Sequence, residues 1–161
     1  MEFLWSPWRS HYVGGHHQQT GCLFCNLADK ESQETDEARY VLYRGRDNFV
    51  VLNRYPYTSG HVMIAPYAHL QLLAEADKQI TDEMMDLAKQ TQQAIGAVYR
   101  PSGYNIGMNL GSAAGAGVAN HFHLHLLPRW VGDTNFMTTV GETRVLPEDL
   151  AETYQKLKKH F

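Results

Sequence analysis

The clearest pattern of apolar positions in this chain is helical. Between residues 80 and 98, apolar or small side chains recur every three or four positions and would lie on one face of a long helix; they are Ile80, Met84, Leu87, Ala88, Thr91, Ile95 and Val98. Thr81 is placed to cap this helix, with Asp82 and Glu83 in its first turn and Pro101 beyond its end. A second helix is predicted over residues 147–160, because a proline followed by two acidic residues is typical of a helix start.

Five strands are predicted. Two β-rich runs cover residues 40–43 and 49–52, and a third run, residues 61–65, is ended by Pro66. Two further strands, residues 103–109 and 120–127, flank a glycine-rich connection. Gly45 and the pair Asp47-Asn48 separate the first two runs and are typical of a turn, so these two strands should form an antiparallel hairpin. The order strands, helix, strands, helix predicts an α+β fold. Residues 1–38 have no clear period and predict a mostly irregular arm.

Length, composition and charge narrow the class of protein. With 161 residues and 43% hydrophobic content, the chain is long enough for one well-buried core, so we expect a single domain. Within it, residues 1–38 form the arm, residues 39–130 the core and residues 131–161 a C-terminal segment. A net charge of -3 provides no basic field for a nucleic acid polymer. Neither a signal peptide pattern nor a long apolar run is present, which predicts a cytoplasmic protein with no membrane partner.

Three histidines alternate with apolar residues in the last predicted strand. Because successive side chains of a strand point to opposite faces, His121, His123 and His125 should share one face. Their backbone positions would be about 6.6 Å apart, a spacing suited to lining a phosphate chain. A neutral imidazole is nucleophilic near neutral pH and a protonated neighbour can donate to a leaving oxygen, so the run indicates phosphoryl chemistry. Ordinary half-buried histidines and metal ligands are the two alternatives.

A glycine-rich stretch precedes the histidines. Residues 109–118 contain three glycines and several other small residues, and such a backbone lets N–H groups approach anionic oxygens. A glycine-rich loop alone is more often a simple turn. Its position directly before the histidine strand favours a phosphate-binding loop.

The chain has two cysteines, Cys22 and Cys25, three positions apart. This spacing suits a metal or redox site better than a disulfide framework. Two thiolates completed by histidines from elsewhere would form a tetrahedral structural zinc site. Two reduced buried cysteines are the alternative. A thioredoxin-like role is disfavoured because no βαβ unit follows the pair.

The histidine run also carries a family resemblance. From His121 to Leu127 it reads His-φ-His-φ-His-φ-φ, with φ apolar, and on this motif the chain resembles the histidine triad (HIT) superfamily. Residues 52–56 and 60–66 look like the nucleoside-binding strands of that family. Further stretches look like the branch often described as diadenosine tetraphosphate phosphorylases; they are residues 4–9, 114–118, 128–130 and 132–137.

The resemblance implies a fold and a reaction. The fold is α+β with a five-stranded antiparallel sheet, usually in a two-fold homodimer whose sheets join across the interface. In the family reaction, the middle histidine attacks the α-phosphorus of a nucleotide, and water or phosphate then resolves the nucleotidyl-histidine. By motif position His123 would be the nucleophile, supported by His121, and His125 would contact phosphate or the leaving group.

Binding residues for the nucleotide are implied in the same way. Asn53 matches the residue that binds the ribose hydroxyls, His61 belongs to the matching Gly-His pair close by, and Asn109 would orient phosphate. The branch that hydrolyses diadenosine triphosphate carries a glutamine and a hydroxyl residue before the triad, whereas this chain has Gly117 and Val118 there. Phosphate contacts would then depend on the loop backbone, at Gly115, Ala116 and Gly117.

The cysteine pair fits the resemblance as well. Several HIT proteins and the related uridylyltransferases join such a pair to a histidine after the third strand and to the first triad histidine, which here are His69 and His121. Zinc held by Cys22, Cys25, His69 and His121 would tie the arm to the histidine strand and orient His121.

Two functions of different classes follow from these patterns. The first is an enzyme that cleaves or transfers a nucleotidyl group on an adenine dinucleotide such as diadenosine tetraphosphate, by hydrolysis or by phosphorolysis. The second is a nucleotide-binding regulator with little turnover, which the three intact histidines argue against because a binder needs no nucleophile. A zinc-dependent hydrolase with the histidines as catalytic ligands is disfavoured, since alternate residues of a strand seldom close on one ion.

Overall fold

The computed structural model describes residues 21–134, 138 and 146–161. The strands in this part of the chain are β1 (Val41–Arg44), β2 (Asn48–Leu52), β3 (Val62–Pro66), β4 (Gly103–Met108) and β5 (Leu124–Arg129). The α-helices are α1 (Leu23–Ala28), α2 (Lys78–Tyr99) and α3 (Leu150–Lys158). None of the helices in the described ranges has the length and apolar character needed to cross a membrane.

All five strands belong to one antiparallel sheet, in the order β1-β2-β3-β5-β4. This architecture confirms the predicted α+β fold with a five-stranded antiparallel sheet. The first two strands form the predicted hairpin. Four strands lie within one residue of their predicted bounds, and three of them, β1, β2 and β3, are short apolar runs closed by turn residues.

The two faces of the sheet bury separate apolar clusters. One face packs against α2 and α3 and includes Val50, Ile64 and Leu126. On the opposite face, Phe24 from α1 packs with Met63 and other buried side chains. Since β2 and β3 are buried at every position, their alternate side chains contribute to one cluster and then the other.

The long helix begins earlier than predicted, and its cap is Asp77 rather than Thr81. Asp77 has an extended backbone and its carboxylate accepts the Ile80 N–H at 3.0 Å, which satisfies one of the unpaired donors of the first turn. Thr81 lies inside the helix, where its hydroxyl donates to the Lys78 carbonyl. The acidic cap was missed because Thr81 is nearer to the first strongly apolar repeat.

The terminal helix is shorter than predicted. Asp149 caps it by accepting the Glu152 N–H at 2.8 Å, so the helix starts at Leu150 and not at Pro147. Of the two acidic residues predicted to begin this helix, Asp149 is its cap and Glu148 precedes it.

The arm is not wholly irregular, because α1 occupies Leu23–Ala28. Two arginines satisfy its C-terminal carbonyls: Arg39 donates to the Asp29 carbonyl at 2.8 Å and Arg44 to the Leu27 carbonyl at 3.1 Å. Cationic donors at this end also complement the helix dipole. Such a short helix depends on contacts with distant residues, which explains why local sequence did not predict it. Residues 1–20 of the arm lie outside the described residues.

Glu83 of α2 holds the turn of the β1-β2 hairpin. Its carboxylate accepts the backbone N–H groups of Arg46, Asp47 and Asn48, each at 2.8 Å, and the Asn48 side-chain amide at 2.9 Å. Burial alone would raise the pKa of Glu83, but these hydrogen bonds outweigh it and lower the pKa below its ordinary 4.5. A group with a lowered folded-state pKa stabilises the protein above its unfolded pKa, and this contribution is lost as pH falls through the folded value.

Replacing Glu83 by Gln should lower the free energy of unfolding by about 2 kcal/mol at neutral pH, because charge-assisted hydrogen bonds are lost and an amide NH2 meets N–H donors. The difference from the parent should shrink as the pH falls below about 4, where the parent carboxylate becomes protonated. Urea unfolding of the parent and the variant at neutral pH and at a pH below about 4 measures this difference in the free energy of unfolding. Glu31→Gln at an exposed position is the matched control and should stay within about 0.5 kcal/mol of the parent. An equal effect of the two substitutions would contradict this role of Glu83.

Candidate active site and metal site

The histidine segment enters the sheet later than predicted. Strand β5 begins at Leu124, so of the three histidines only His125 lies within it. The predicted strand over residues 120–127 is wrong at its start because the Phe122 N–H donates to the Leu70 carbonyl at 2.8 Å instead of joining the ladder. Alternation nevertheless persists: Phe122 belongs to the cluster under α2, whereas His121 and His123 contact Phe24 on the opposite face.

The imidazole of His123 is buried in surroundings that favour its neutral form. Its ring is 3% exposed and packs 4.5 Å, centroid to centroid, from the ring of Phe24. Burial lowers the pKa of His123, and a hydrogen bond to the His121 carbonyl opposes this only in part. In that bond, Nδ1–H donates to the carbonyl oxygen at 3.1 Å. The proton of the neutral ring is thus on Nδ1, and the nucleophilic lone pair is on Nε2.

His125 and His61 complete a cluster of rings around His123. The ring centroids of His123 and His125 are 4.7 Å apart and the ring planes are inclined at 68°. The rings are therefore closer to each other than the spacing of about 6.6 Å predicted for their backbone positions. On the other side of His125, its Nδ1 is 2.9 Å from Nε2 of His61. His61 is 1% exposed and directly precedes β3, the strand that pairs with β5. Antiparallel pairing therefore brings together two histidines separated by 64 positions.

Asn53 lies at the edge of this cluster. Its side-chain oxygen accepts the Tyr55 N–H at 2.9 Å, and its amide nitrogen lies 3.3 Å from Nδ1 of His61. Tyr57 adds a backbone N–H donor to the same Nδ1 at 3.1 Å. The structure therefore joins Asn53 and His61, two of the predicted nucleotide-binding residues, to His125.

The glycine-rich loop follows β4 and is held by hydrogen bonds within itself. Asn109 follows β4 and is half-buried, while Gly115 and Gly117 are exposed. Two of the three backbone N–H groups assigned to phosphate have partners within the loop: the Gly115 N–H donates to Ser112 and the Ala116 N–H to Gly111. The phosphate-binding role of this loop stays a prediction.

Four side chains from three segments converge at the start of α1. The donor atoms of Cys22, Cys25, His69 and His121 all lie within 4.8 Å of one another. Cys22 Sγ is 3.3 Å from His121 Nδ1, and Cys25 Sγ is 3.1 Å from His69 Nδ1. Tetrahedral zinc with bonds of about 2.0–2.3 Å places its donors roughly 3.5 Å apart, so the arrangement fits this ion in donor chemistry and spacing. Both cysteines are only half-buried, unlike the fully buried thiols of the alternative interpretation.

His121 has protein partners for both ring nitrogens. Nδ1 faces the two cysteines, and Nε2 lies 3.0 Å from the Pro66 carbonyl, to which it donates. The hydrogen bond to a backbone carbonyl fixes the tautomer that leaves Nδ1 as a metal ligand. Burial also lowers the pKa of His121, which favours the neutral ligand form. The contribution of His121 to the histidine cluster is therefore made by its backbone carbonyl, through His123.

Two contributors to this site were missed by sequence reasoning. Phe24 packs against both His121 and His123, and Tyr57 donates its backbone N–H to His61. A phenylalanine within a Cys-X-X-Cys pair has no sequence pattern that assigns it to a distant histidine. A backbone N–H donor cannot be inferred from the residue type, because every residue except proline has one.

Known proteins share this fold and sequence pattern. A family model for the HIT domain matches residues 34–131. A Mycobacterium tuberculosis protein named AP-4-A phosphorylase is 34% identical over 161 residues, covering 98% of this chain and 83% of the relative. A solved hypothetical histidine triad nucleotide-binding protein from Sulfolobus tokodaii is 27% identical with a TM-score of 0.65, covering 86% of this chain and 88% of that one. A zinc-bound histidine triad family protein from Mycobacterium smegmatis, 23% identical with a TM-score of 0.69, covers 87% and 92% and has the same fold.

Proposed function

Because this chain belongs to the HIT domain family, we propose that it transfers the nucleotidyl group of an adenine dinucleotide, such as diadenosine tetraphosphate, through a covalent intermediate on His123. The observation that carries the proposal is the hydrogen bond from His123 Nδ1–H to the His121 carbonyl, which leaves the lone pair on Nε2. Burial lowers the pKa of this ring, which favours its neutral form. The M. tuberculosis relative named AP-4-A phosphorylase supports this class of substrate.

The proposed reaction has two displacements at the α-phosphorus. In the first, the lone pair of His123 Nε2 forms an N–P bond, the P–O bond to the rest of the phosphate chain breaks, and its electron pair leaves with the bridging oxygen. The His121 carbonyl accepts a stronger hydrogen bond as positive charge develops on the ring. In the second, an oxygen of phosphate or water forms the new P–O bond, its proton passes to solvent, and the N–P electron pair returns to Nε2.

The nucleotide would bind beside this cluster. Asn53 has one oxygen lone pair engaged by Tyr55, and its remaining acceptor capacity suits a ribose hydroxyl. Asn109 would orient phosphate, and backbone groups at Gly115, Ala116 and Gly117 would contact phosphate oxygens after the loop rearranges its internal hydrogen bonds. His125 would contact the departing oxygen.

The proposal includes a structural zinc ion held by Cys22, Cys25, His69 and His121. Four protein donors close the coordination shell, which is typical of a structural site and leaves no position for substrate. When bound, the ion would cross-link α1, the segment after β3 and the start of the histidine segment. The chain's own contribution is that Phe24, between the two cysteines, is then held against the His123 ring.

We further propose a homodimer in which the sheets of two subunits join through β4. This strand is at one end of the strand order, and Ile106 in it is 46% exposed. An edge strand with an exposed apolar residue is a template for pairing with another strand.

Placing a lysine on this edge should disrupt the dimer. Ile106→Lys is expected to shift the protein to a monomer in sedimentation analysis, since a charged edge disfavours strand pairing. Met85→Lys, at an exposed apolar position on α2, is the matched control and should remain dimeric. A parent that is monomeric at all concentrations, or an Ile106→Lys variant that stays dimeric, would refute pairing through β4.

The products of one assay test the proposed function. The purified protein is incubated with diadenosine tetraphosphate, with and without inorganic phosphate, and the nucleotides are separated. ADP plus ATP formed only with phosphate identifies a phosphorylase, whereas AMP plus ATP identifies a hydrolase. Binding of the dinucleotide without either set of products would overturn the proposal in favour of a regulator.

A further inference from the structure

A chain of hydrogen bonds runs from the backbone of Tyr57 through His61 to His125. The Tyr57 N–H donates to His61 Nδ1 at 3.1 Å, and His61 Nε2 lies 2.9 Å from His125 Nδ1. Asn53 adds a second donor to His61 Nδ1, at 3.3 Å. Its amide orientation is fixed because its oxygen accepts the Tyr55 N–H at 2.9 Å, which leaves the NH2 group facing His61.

These donors determine where the protons are. A backbone N–H can only donate, so Nδ1 of His61 must be the unprotonated, accepting nitrogen. The proton of a neutral His61 ring is then on Nε2, which faces His125 Nδ1. That nitrogen of His125 must in turn accept, which places the proton of His125 on its Nε2. A proton added to His125 Nδ1 would face the N–H of His61 and break the bond between them.

We propose that His61 is a positioning residue that holds His125 as the neutral tautomer with its proton on Nε2, so that His125 is a fixed hydrogen-bond donor to the leaving oxygen. This role differs from the nucleotide contact that the family resemblance implies for His61, and it rests on the proposed nucleotidyl transfer. As the P–O bond breaks, its electron pair stays on the bridging oxygen, and His125 keeps its Nε2–H bond while donating to that oxygen. This role involves no transfer of a proton through His61, because the Tyr57 N–H and the Asn53 NH2 group both donate to its Nδ1.

The position of His61 suits this role. The ring is 1% exposed, and its centroid is 5.1 Å from that of His125 and 4.7 Å from that of Tyr57. The hydrogen bond between the two rings is part-buried, which limits the access of water to it. The donor is therefore oriented before the bridging oxygen acquires charge, which is the condition for electrostatic stabilisation of a leaving group.

A series of leaving groups separates this role from a purely structural one. Aryl esters of adenosine 5′-monophosphate with phenols of graded acidity are used as substrates, and kcat/KM is measured for each. His61→Leu should lower kcat/KM on the order of 100-fold for the least acidic phenol and less than about 5-fold for the most acidic, because a good leaving group needs little hydrogen bonding. The dependence on phenol acidity would thus become steeper.

Two variants control the series. His61→Gln retains an amide N–H donor for His125 and an oxygen acceptor for the Tyr57 N–H, so it should return the dependence on phenol acidity toward that of the parent. His160→Leu, an exposed histidine near the C-terminus, should match the parent throughout. An equal loss with every ester in His61→Leu, or a failure of His61→Gln to restore the slope, would overturn the proposal.

A nitrogen-15 NMR measurement of the imidazole rings tests the tautomer without any turnover. In the parent at neutral pH, Nε2 of both His61 and His125 should have the chemical shift of a protonated nitrogen and both Nδ1 atoms that of an unprotonated one. A protonated His125 Nδ1 in the parent would refute the proposal even if the enzyme is active. If the parent has the expected tautomers but cleaves no nucleotide, the proposed function fails while the assigned hydrogen-bond chain stands.

Discussion

His123→Ala is expected to lower kcat for diadenosine tetraphosphate on the order of 10⁴- to 10⁶-fold, the range seen when a catalytic nucleophile or its partner is removed from other enzymes. The physical reason is that Nε2 of this ring is the atom that would form the covalent bond. The neighbouring triad rings are less suited to attack: His121 has protein partners at both ring nitrogens, and in His125 Nδ1 faces His61 while the proposed tautomer has a proton on Nε2. Single-turnover and steady-state rates measure the loss.

A matched variant distinguishes loss of the nucleophile from damage to the fold. His123→Asn retains a side-chain N–H at the position of Nδ1, which can still donate to the His121 carbonyl, but has no atom in place of Nε2. We expect it to be as inactive as His123→Ala with a melting temperature closer to that of the parent. Activity within about tenfold of the parent in either folded variant would exclude His123 as the nucleophile.

Removal of the metal site is expected to have the largest effect on stability. At a free metal concentration about a thousandfold above Kd, binding contributes about 4 kcal/mol, which corresponds to roughly 8–16 °C in Tm for a chain of this length. His69→Ala should abolish most of this contribution, because it removes one of the four proposed ligands. Since His69 is exposed, its removal leaves little cavity, and the loss of stability should come from the metal alone. Chelation of the parent should lower Tm by a similar amount. Elemental analysis of the purified parent should find one zinc per chain.

One exposed histidine outside the cluster serves as the control for the metal prediction, and the two cysteines provide a parallel test. His160→Ala removes an exposed imidazole outside the cluster and should leave both Tm and zinc content unchanged. Cys25→Ser should match His69→Ala, and the chelator should have no further effect on either variant. A parent without stoichiometric metal, whose Tm changes little on replacement of Cys22 and Cys25 by Ala, would instead be a protein with two ordinary reduced cysteines.

The fold was predictable where local pattern and final environment agree. The period of α2 is set by one continuous apolar face that packs on the sheet, and the short apolar runs of β1, β2 and β3 are closed by turn residues. The start of β5 was not predictable, because the pairing of Phe122 with Leu70 depends on where the chain goes after β3. The helix α1 was missed for a similar reason, since its carbonyls are satisfied by Arg39 and Arg44 from another segment.

The candidate site also has features that were predictable from the sequence and features that were not. Residue type and spacing identified the histidines and the cysteine pair, because nucleophiles and metal ligands depend on particular side chains. The hydrogen bond between His61 and His125 could not be read from the chain, as it requires the register of β3 against β5. The sequence also does not show that His121 has two separate roles, with its ring facing the cysteines and its carbonyl accepting the hydrogen bond of His123.

The central claim, a nucleotidyl group carried by His123, is tested most directly by isolating the intermediate. The protein is mixed briefly with a dinucleotide labelled at the α-phosphorus, quenched in base, where N–P bonds persist, and digested for peptide mapping. The account predicts label on Nε2 of His123. Before the quench, this label should be lost to water or to added phosphate at least as fast as overall turnover. Label on a different residue, or turnover by the parent with no labelled histidine on this time scale, would contradict it.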